Sequence, residues 1–472
     1  MENKRQTIQL NQFVRHQKGF AFKSTDYVSS GIPVVRVSNF TDDSIDTADF
    51  KYVTSTIADD KAIFELMEND VVIATVGSWP KNPASVVGKV IRVPPEATPS
   101  LLNQNAVILK PISNERYDKD YLYYILKNKN FSDYIVSTAQ GSANQASITL
   151  KDIYAYSFSL PRPEERKAIS QMLRKLDNKI TLNRQINQTL EQMAQALFKS
   201  WFVDFDPVVD NALDAGFFEQ GLQFSDELLH RAEARKAVRE SADFKPLPED
   251  IRQLFPVAFE ECSEPSLSLG RWVPKGWKPS NVGFEFDVTM GQSPPGSTYN
   301  EIGSGLPFFQ GKTDFGFRFP SNRIYCTEPK RMAKKDDTLI SVRAPVGDIN
   351  LAAEDCAIGR GLAAARHKSG SISFSYYVMN SLSKYFEVFE GEGTVFGSIN
   401  QKDFKALPLI KYPGEIITKF DEFCGNWDKR INNLSVEIST LTDLRDTLLP
   451  KLISGELRLS DSEVDTADEV LA

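Results

Sequence analysis

Two long segments repeat apolar residues every three and four positions over about five heptads, and this pattern restricts the possible folds more than any other feature. The first segment begins at Pro163, a residue suited to the first turn of a helix, and the second follows Pro413. A helix of roughly 35 residues is about 50 Å long, and a narrow apolar seam along it is typical of a coiled coil. We therefore predict two long helices that pair with each other. In the alternative interpretation, each helix packs on a different globular core.

The predicted coiled-coil seam consists mainly of large apolar side chains. They are Leu176, Ile180, Leu190 and Leu197 in the first helix, and Phe420, Trp427, Ile431, Leu434, Ile438 and Leu441 in the second. Asn183 and Asn187 also fall at seam positions, where a buried asparagine can set the register of paired helices. Exposure of both asparagines to solvent is the alternative.

An internal repeat accompanies the two helices. The paired blocks are GIPVVR (31–36) with GLPFFQ (305–310), NDVVIA (69–74) with DDTLIS (336–341), and residues 141–153 with 391–404, which share Ser-Ile-x-x-Lys-Asp-apolar. Because the blocks and the helices recur in the same order, we predict two copies of a domain of short strands and helices, each followed by a long helix. The predicted fold class is α+β, with these boundaries: 1–162 first domain, 163–200 first helix, 201–270 linker or insert, 271–411 second domain, 412–454 second helix, 455–472 disordered acidic tail.

Charge and composition exclude several classes of protein. The 55 Lys and Arg residues against 63 Asp and Glu residues give a net charge of -8, so any contact with nucleic acid must be local or supplied by a partner. The first residues lack the apolar run of a signal peptide, and no segment has the roughly 20 apolar residues that span a bilayer. The four cysteines form no Cys-x-x-Cys pair. These features favour a cytoplasmic location.

Catalytic machinery is not visible in the sequence. The three histidines, His16, His230 and His367, lie far apart, and there is no G-x-x-x-x-G-K-[ST] phosphate loop. The glycine-rich residues 391–397 have one residue too many for the dinucleotide fingerprint. We therefore predict no catalytic, cofactor-binding or metal-binding residue on this chain.

Recognition by surface turns is the remaining chemistry. The candidate side chains are Thr75, Ser78, Trp79, Lys81, Gln140, Ser142, Asn144 and Gln145 in the first domain, and Gln310, Lys312, Arg343, Arg360, Thr394 and Ser398 in the second. Arg and Lys match the acceptors of guanine in the major groove, and Asn and Gln match adenine. The same residue types also occur in ordinary solvated turns, which is the alternative interpretation.

Several long phrases resemble one protein family, the specificity (S) subunit of type I restriction-modification systems. They include GFAFKS (19–24), GQSPPGSTYN (291–300), AIGRGLAAA (357–365), ALFKSWFVDFDPV (196–208) and TLLPKLISGEL (447–457). The resemblance extends over nearly the whole chain.

The resemblance implies two pseudo-repeated target-recognition domains, each reading one half of a split double-stranded DNA sequence, separated by two long antiparallel coiled-coil helices. It implies two methyltransferase subunits and two restriction subunits as partners, with S-adenosylmethionine, ATP and Mg on those partners and no catalysis by this chain itself. Two alternatives stay open at this point. One is a scaffold whose repeated domains bind protein, and the other is a stand-alone enzyme.

Overall fold

A computed structural model describes residues 5–79, 86–142, 145–264, 267, 269–389 and 397–459. The chain divides into two compact units, unit 1 with residues 1–184 and 435–472, and unit 2 with residues 185–434. Each long helix therefore contributes residues to both units.

Unit 1 combines short strands with a few helices. Its strands are β1 Gln6–Gln9, β2 Val14–Lys18, β3 Tyr27–Val28, β4 Ile32–Val35, β5 Lys51–Val53, β6 Glu65–Leu66, β7 Val71–Ala74, β8 Val76–Gly77, β9 Val90–Arg92, β10 Ser100–Leu102, β11 Ala106–Pro111, β12 Gln140–Ser142, β13 Gln145–Ser147 and β14 Ser157–Leu160. Its helices are α1 Ser55–Asp60, α2 Arg116–Lys127, α3 Lys129–Thr138, α4 Leu150–Ala155 and the first part of α5 Pro163–Phe198.

Unit 2 begins inside α5, which passes into a π-helical turn at Lys199–Val203. Its further helices are α6 Asp206–Asp214, α7 Asp226–Arg239, α8 Glu249–Arg252, α9 Val282–Glu285, α10 Ile372–Ser381, α11 Ser383–Glu387, α12 Gln401–Ala406 and the first part of α13 Gly414–Ser454. Its strands are β15 Phe259–Glu261, β16 Trp272–Pro274, β17 Lys278–Asn281, β18 Phe286–Met290, β19 Tyr299–Asn300, β20 Leu306–Phe309, β21 Tyr325–Cys326, β22 Met332–Ala333, β23 Thr338–Val342, β24 Val346–Leu351, β25 Cys356–Ile358, β26 Leu362–His367 and β27 Pro408–Lys411.

The two larger sheets of unit 1 have the same topology as the two larger sheets of unit 2. The order β3-β5-β4-β10-β6 in unit 1 corresponds to β19-β21-β20-β25-β22 in unit 2, and β2-β11-β7-β9 corresponds to β18-β26-β23-β24. The strand pair β4·β10 of unit 1 is parallel, and so is the equivalent pair β20·β25 of unit 2. The neighbouring pairs β10·β6 and β25·β22 are antiparallel. The internal repeat predicted from the sequence is confirmed.

The apolar block of each repeat forms a strand that is buried on both faces. In β7, Val71 and Ile73 pack in the core beneath α2, whereas Val72 and Ala74 pack in a second core with β10. Side chains of a strand alternate between its two faces, so a continuous apolar run is expected where both faces are covered. β23 is buried throughout in the same way.

Both long helices contribute to the core of each unit. In unit 1, Ile169, Leu173 and Ile180 of α5 share a core with Leu441 and Leu452 of α13. In unit 2, Ala194 and Phe198 near the end of α5 share a core with Phe420 and Cys424 near the start of α13. The early part of one helix thus meets the late part of the other, and the predicted antiparallel pair is present.

The residues of the predicted seam are buried or half-buried. Leu176, Ile180, Phe420, Ile431, Leu434 and Leu441 are buried, and Leu190, Leu197, Trp427 and Ile438 are half-buried. Asn183 and Asn187 are both buried, so the exposed alternative for these two asparagines is wrong.

The segment predicted as a linker or insert, residues 201–270, contributes side chains to the core of unit 2. Trp201, Phe205 and Phe255 are buried in that core together with Phe420. An ionic ladder also joins α6 to α7. It consists of the pairs Arg231–Asp206, Arg235–Asp210 and Arg239–Asp214, in which donors and acceptors are each spaced four residues apart. This spacing places each set on one face of its helix.

Candidate functional site

Four separate segments of unit 1 are joined by backbone hydrogen bonds at the end of its central strands. Asn103 donates to Val35 at 3.0 Å, Thr75 donates to Asn105 at 2.8 Å, and Ile148 donates to Thr75 at 2.9 Å. We call this arrangement the unit 1 junction.

Unit 2 contains the same junction. Gly359 donates to Phe309 at 2.8 Å, Val342 donates to Gly361 at 2.8 Å, and Ile399 donates to Val342 at 3.1 Å. The two networks match bond for bond. They therefore align the repeats residue by residue, even where the side chains differ.

The Ser-Ile-x-x-Lys-Asp block forms one edge of each junction through the backbone N–H of its isoleucine. The residues that follow this isoleucine cap a helix. The Oγ1 atom of Thr149 accepts a hydrogen bond from the backbone of Asp152, and the Asp152 carboxylate accepts from the backbone N–H of Thr149 at 2.8 Å. Such a capping box fixes the entry of the chain into the helix. The hydroxyl and the backbone N–H of Thr149 both donate hydrogen bonds to the Asp152 carboxylate, and they lower the pKa of Asp152 below its ordinary value. Asn400 caps α12 in the same position of unit 2.

A glycine allows the close backbone approach that each junction requires. A Cβ atom on Gly19 would overlap the carbonyl oxygen of Asn103, and one on Gly291 would overlap the carbonyl oxygen of Gly359. The two glycines occupy equivalent places, since Gly19 donates to Ala106 and Gly291 donates to Leu362. Both positions need glycine for space rather than for an unusual backbone conformation.

The described members of the predicted recognition set in the first domain lie in segments that adjoin the unit 1 junction. The indole N–H of Trp79 donates to the carbonyl of Ser142 at 2.8 Å, and strands β12, β13 and β8 form a small sheet. Gln140, Ser142 and Gln145 are exposed, Thr75 and Trp79 are half-buried, and Ser78 is buried. Lys81 and Asn144 lie outside the described residues.

The predicted residues of the second domain gather around the unit 2 junction. Gln310, Arg343, Arg360 and Ser398 are exposed, and Arg343 forms a β-bridge with Ser398. Lys312 is also exposed, but its ammonium group pairs with Asp348 at 2.7 Å. Thr394 lies outside the described residues.

Sequence reasoning missed the unit 1 counterparts of two of these residues. Gln104 is exposed and occupies the place of Arg360, because Asn103 and Asn105 match Gly359 and Gly361. Arg36 follows β4 as Gln310 follows β20, and it pairs with Asp49 at 3.1 Å. The repeated block at 31–36 was a sufficient signal for Arg36. For Gln104 no comparable sequence signal exists.

The described residues show no metal-binding cluster at either junction. No group of three or more His, Cys, Asp or Glu side chains with the geometry of a metal site occurs among them. Cys262, Cys326, Cys356 and Cys424 are all buried thiols, and burial raises the pKa of Cys356 to about 12. The junctions instead present amide, hydroxyl and guanidinium groups on a fixed backbone, which suits hydrogen bonding to a polar surface.

No helix in the part of the chain that the structure describes is long and apolar enough to cross a membrane.

Comparison with known proteins gives consistent results. Residues 2–192 match the model of the type I restriction modification DNA specificity domain. The chain is 28% identical over 439 residues to a protein described as the type I restriction enzyme MjaX specificity subunit of Methanocaldococcus jannaschii. The aligned region covers 91% of this chain and 88% of that protein. It is 26% identical over 374 residues to the HindI specificity subunit of Haemophilus influenzae, covering 72% of this chain and 77% of that protein.

A solved structure shares the fold. The crystal structure of a type I restriction-modification system S subunit from M. genitalium matches with a TM-score of 0.54 and 16% identity, over 96% of this chain and 97% of that one. The resemblance predicted from the sequence phrases is confirmed by the sequence comparisons, in which the chain is similar over most of its length to specificity subunits of type I restriction enzymes.

Proposed function

We propose that this chain selects the DNA sequence for a type I restriction-modification complex, with unit 1 reading one half of a bipartite site and unit 2 reading the other. The observation that carries this proposal is the pair of equivalent junctions, each with exposed polar side chains on a backbone fixed by hydrogen bonds. A rigid backbone with exposed amide and guanidinium groups is what direct readout of base edges requires.

The differences between the junctions support separate half-sites. Unit 2 presents exposed Arg343 and Arg360, whereas Val76 and Gln104 take the matching places in unit 1. Arginine is suited to guanine and glutamine to adenine. The two units would then prefer different bases at equivalent positions.

Partners complete the activity in this proposal. Two methyltransferase subunits and two restriction subunits would bind S-adenosylmethionine, ATP and Mg, while this chain supplies no reacting group. The net charge of -8 agrees with such a division, since partners would contribute much of the positive charge that neutralises phosphates. The complex would act in the cytoplasm, on the nucleoid.

Methylome sequencing tests the proposal directly. The chain is expressed with its methyltransferase subunit in a host without other adenine methylation, and modified sites are mapped at single-base resolution. The expected result is one motif of two defined half-sites separated by a gap of unspecified bases. Absence of any sequence-specific methylation would overturn the proposal and favour a scaffold that binds protein.

Substitutions at the junctions assign the half-sites to the units. Arg360→Ala is expected to relax one position of one half-site, by about 1–3 kcal/mol of discrimination, and to leave the other half-site unchanged. Gln104→Ala is expected to relax the opposite half-site only. Lys384→Ala, which removes an exposed cation from α11, serves as the control and should change neither. Relaxation of both half-sites by one junction variant would contradict the assignment.

A further inference from the structure

A buried arginine in unit 2 joins the globular part of the unit to both long helices. Arg318 lies in the loop before β21, and only 2% of its surface is exposed. Its Nη2 atom lies 2.5 Å from Glu191 of α5, 3.0 Å from Asp428 of α13 and 2.7 Å from the hydroxyl of Tyr377 on α10. One guanidinium therefore links four elements.

Aromatic rings complete the surroundings of this cation. The guanidinium carbon lies 4.0 Å from the ring centre of Tyr376 and 5.4 Å from that of Tyr377, within the range of cation–π attraction. Ser373, at the start of α10, donates to the second oxygen of Asp428. Burial by itself would lower the pKa of Arg318, but the neighbouring tyrosines and carboxylates outweigh it and raise that pKa above its ordinary value. The site therefore holds a charged arginine.

Unit 1 builds the same kind of site around Arg92 of β9. Its guanidinium carbon lies 4.1 Å from the ring centre of Tyr123 and 5.2 Å from that of Tyr124. The guanidinium nitrogens lie 3.6 Å from Asp177 of α5 and 3.4 Å from Asp120 of α2. The Tyr124 hydroxyl donates to Asp177 at 2.7 Å.

The second long helix also takes part in unit 1. Arg445 of α13 donates to the other oxygen of Asp177 at 3.1 Å. Asp177, itself on α5, thus contacts side chains from β9, α2 and α13. In unit 2, Arg318 likewise contacts both long helices and one shorter helix, α10.

The repeat preserves the tyrosine pair and one aspartate but not the source of the cation. The tyrosine pairs lie on equivalent helices, α2 and α10, and the aspartates lie in similar phrases, LDNKI (176–180) and WDKRI (427–431). The arginine comes from β9 in one unit and from a loop in the other, where the Arg318 carbonyl accepts from Leu351 at the end of β24. Two different segments thus supply a cation to the same place, which points to a requirement for that cation.

We infer that Arg92 and Arg318 are positioning residues, each of which fixes the orientation of the globular part of its unit on the long helices and thereby the place on DNA where its half-site is read. This inference rests on the proposed function. A planar guanidinium that meets several acceptors and aromatic faces at once has a narrow range of satisfactory geometries. Neither arginine is at a junction, so neither would contact a base.

The gap between half-sites is the readout that tests this role. Arg318→Met in the full chain, assembled with its methyltransferase subunit, is assayed on DNA with the natural gap and with gaps one base pair longer or shorter. We expect the preference for the natural gap to fall on the order of tenfold, as for loss of a coupled ionic network, while the half-site sequences stay unchanged. Arg318→Lys should restore the preference in part, since it keeps the charge but has a shorter side chain and no planar guanidinium to face the ring of Tyr376.

Arg323→Met is the matched control. Arg323 follows in the same loop and is exposed, and among the described residues its ion pair is with nearby Asp314 at 2.8 Å, so its variant should keep the natural gap preference. A folded Arg318→Met complex with an unchanged gap preference would overturn the inference. If Arg318→Met does not fold, Asp428→Asn takes its place, because it keeps the shape of the site and leaves Glu191 as a counter-ion. A reduced gap preference in Asp428→Asn would then support the inference, and an unchanged gap preference would overturn it.

Failure of the proposed function has a different signature. In that case the wild-type complex shows no bipartite methylation motif at all, and gap preference cannot be defined for any variant. A wild-type complex with a bipartite motif and an Arg318→Met complex with the wild-type gap profile would refute the positioning role alone.

Discussion

Gly291→Ala should destabilise unit 2 because a methyl group has no room at this position. The added Cβ would overlap the carbonyl oxygen of Gly359 and would lie 2.8 Å from both the Gly359 carbonyl carbon and the Leu362 oxygen. All three atoms belong to the backbone, so no side chain can rotate away. The two segments must separate, and the structure shows which bonds that separation strains.

The magnitude follows from these bonds. Separation lengthens the hydrogen bonds from Gly291 to Leu362, at 2.9 Å, and from Gln292 to Ile358, at 3.0 Å. Each contributes about 0.5–1.5 kcal/mol, and overpacking typically costs a further 1–3 kcal/mol, so we expect a loss of roughly 3 kcal/mol. For a unit of this size such a loss lowers the melting temperature by roughly 6–12 °C.

Thermal unfolding of the full chain, followed by calorimetry, measures this effect. Gly296→Ala is the matched control, because a Cβ there meets no atom within 4 Å and the backbone is not in the left-handed region. We expect the control to stay within about 1 kcal/mol of wild type. Equal melting temperatures for Gly291→Ala and Gly296→Ala would refute the argument that the junction depends on close backbone contact.

Three further predictions concern stability. Burial lowers the pKa of His367 below its ordinary value of about 6.5, so the unfolded chain takes up this proton first as the pH falls, and stability present above pH 6.5 should decline below it. Urea unfolding should give a lower free energy of unfolding at pH 5.5 than at pH 7.5 in wild type, with a smaller difference in His367→Gln. Equal differences in the two proteins would refute a role for His367 in this pH dependence. Ile180→Ala should cost about 2–5 kcal/mol because its side chain is 1% exposed, whereas Leu182→Ala, at 49% exposed, should cost under about 0.5 kcal/mol in the same denaturation assay. A double-mutant cycle of Arg235→Met and Asp210→Asn should give a coupling of about 1–3 kcal/mol, since the pair is bidentate at 2.5 and 3.0 Å and half-buried; additive effects would contradict a structural role for the ladder.

The long helices and the repeat were predictable because their signals are periodic and local. The apolar seam reports burial directly, and the block at 69–74 is apolar throughout because β7 is covered on both faces. The block before each long helix was recognisable because a side-chain cap at the start of a helix demands particular residue types at a fixed spacing.

The candidate surface at the junctions was predictable only in part. Gln104 lies between two asparagines and has no distinguishing pattern, since its exposure depends on the parallel pairing of β10 with the distant β4. The ladder between α6 and α7 has a clear spacing of four residues in the sequence, but that spacing gains meaning only when the two helices are known to be neighbours. Tertiary contacts of this kind are not encoded in any local window.

The separation between supporting glycines and exposed side chains has an evolutionary consequence. Gly359 and Gly361 enclose Arg360, and the backbone there is held by hydrogen bonds that do not involve its side chain. Replacement of that outward-facing group therefore alters what the surface can bind at little cost in folding. Under the proposed function, a gene of this architecture can therefore change its binding preference by point mutation, while selection against misfolding acts on the residues underneath.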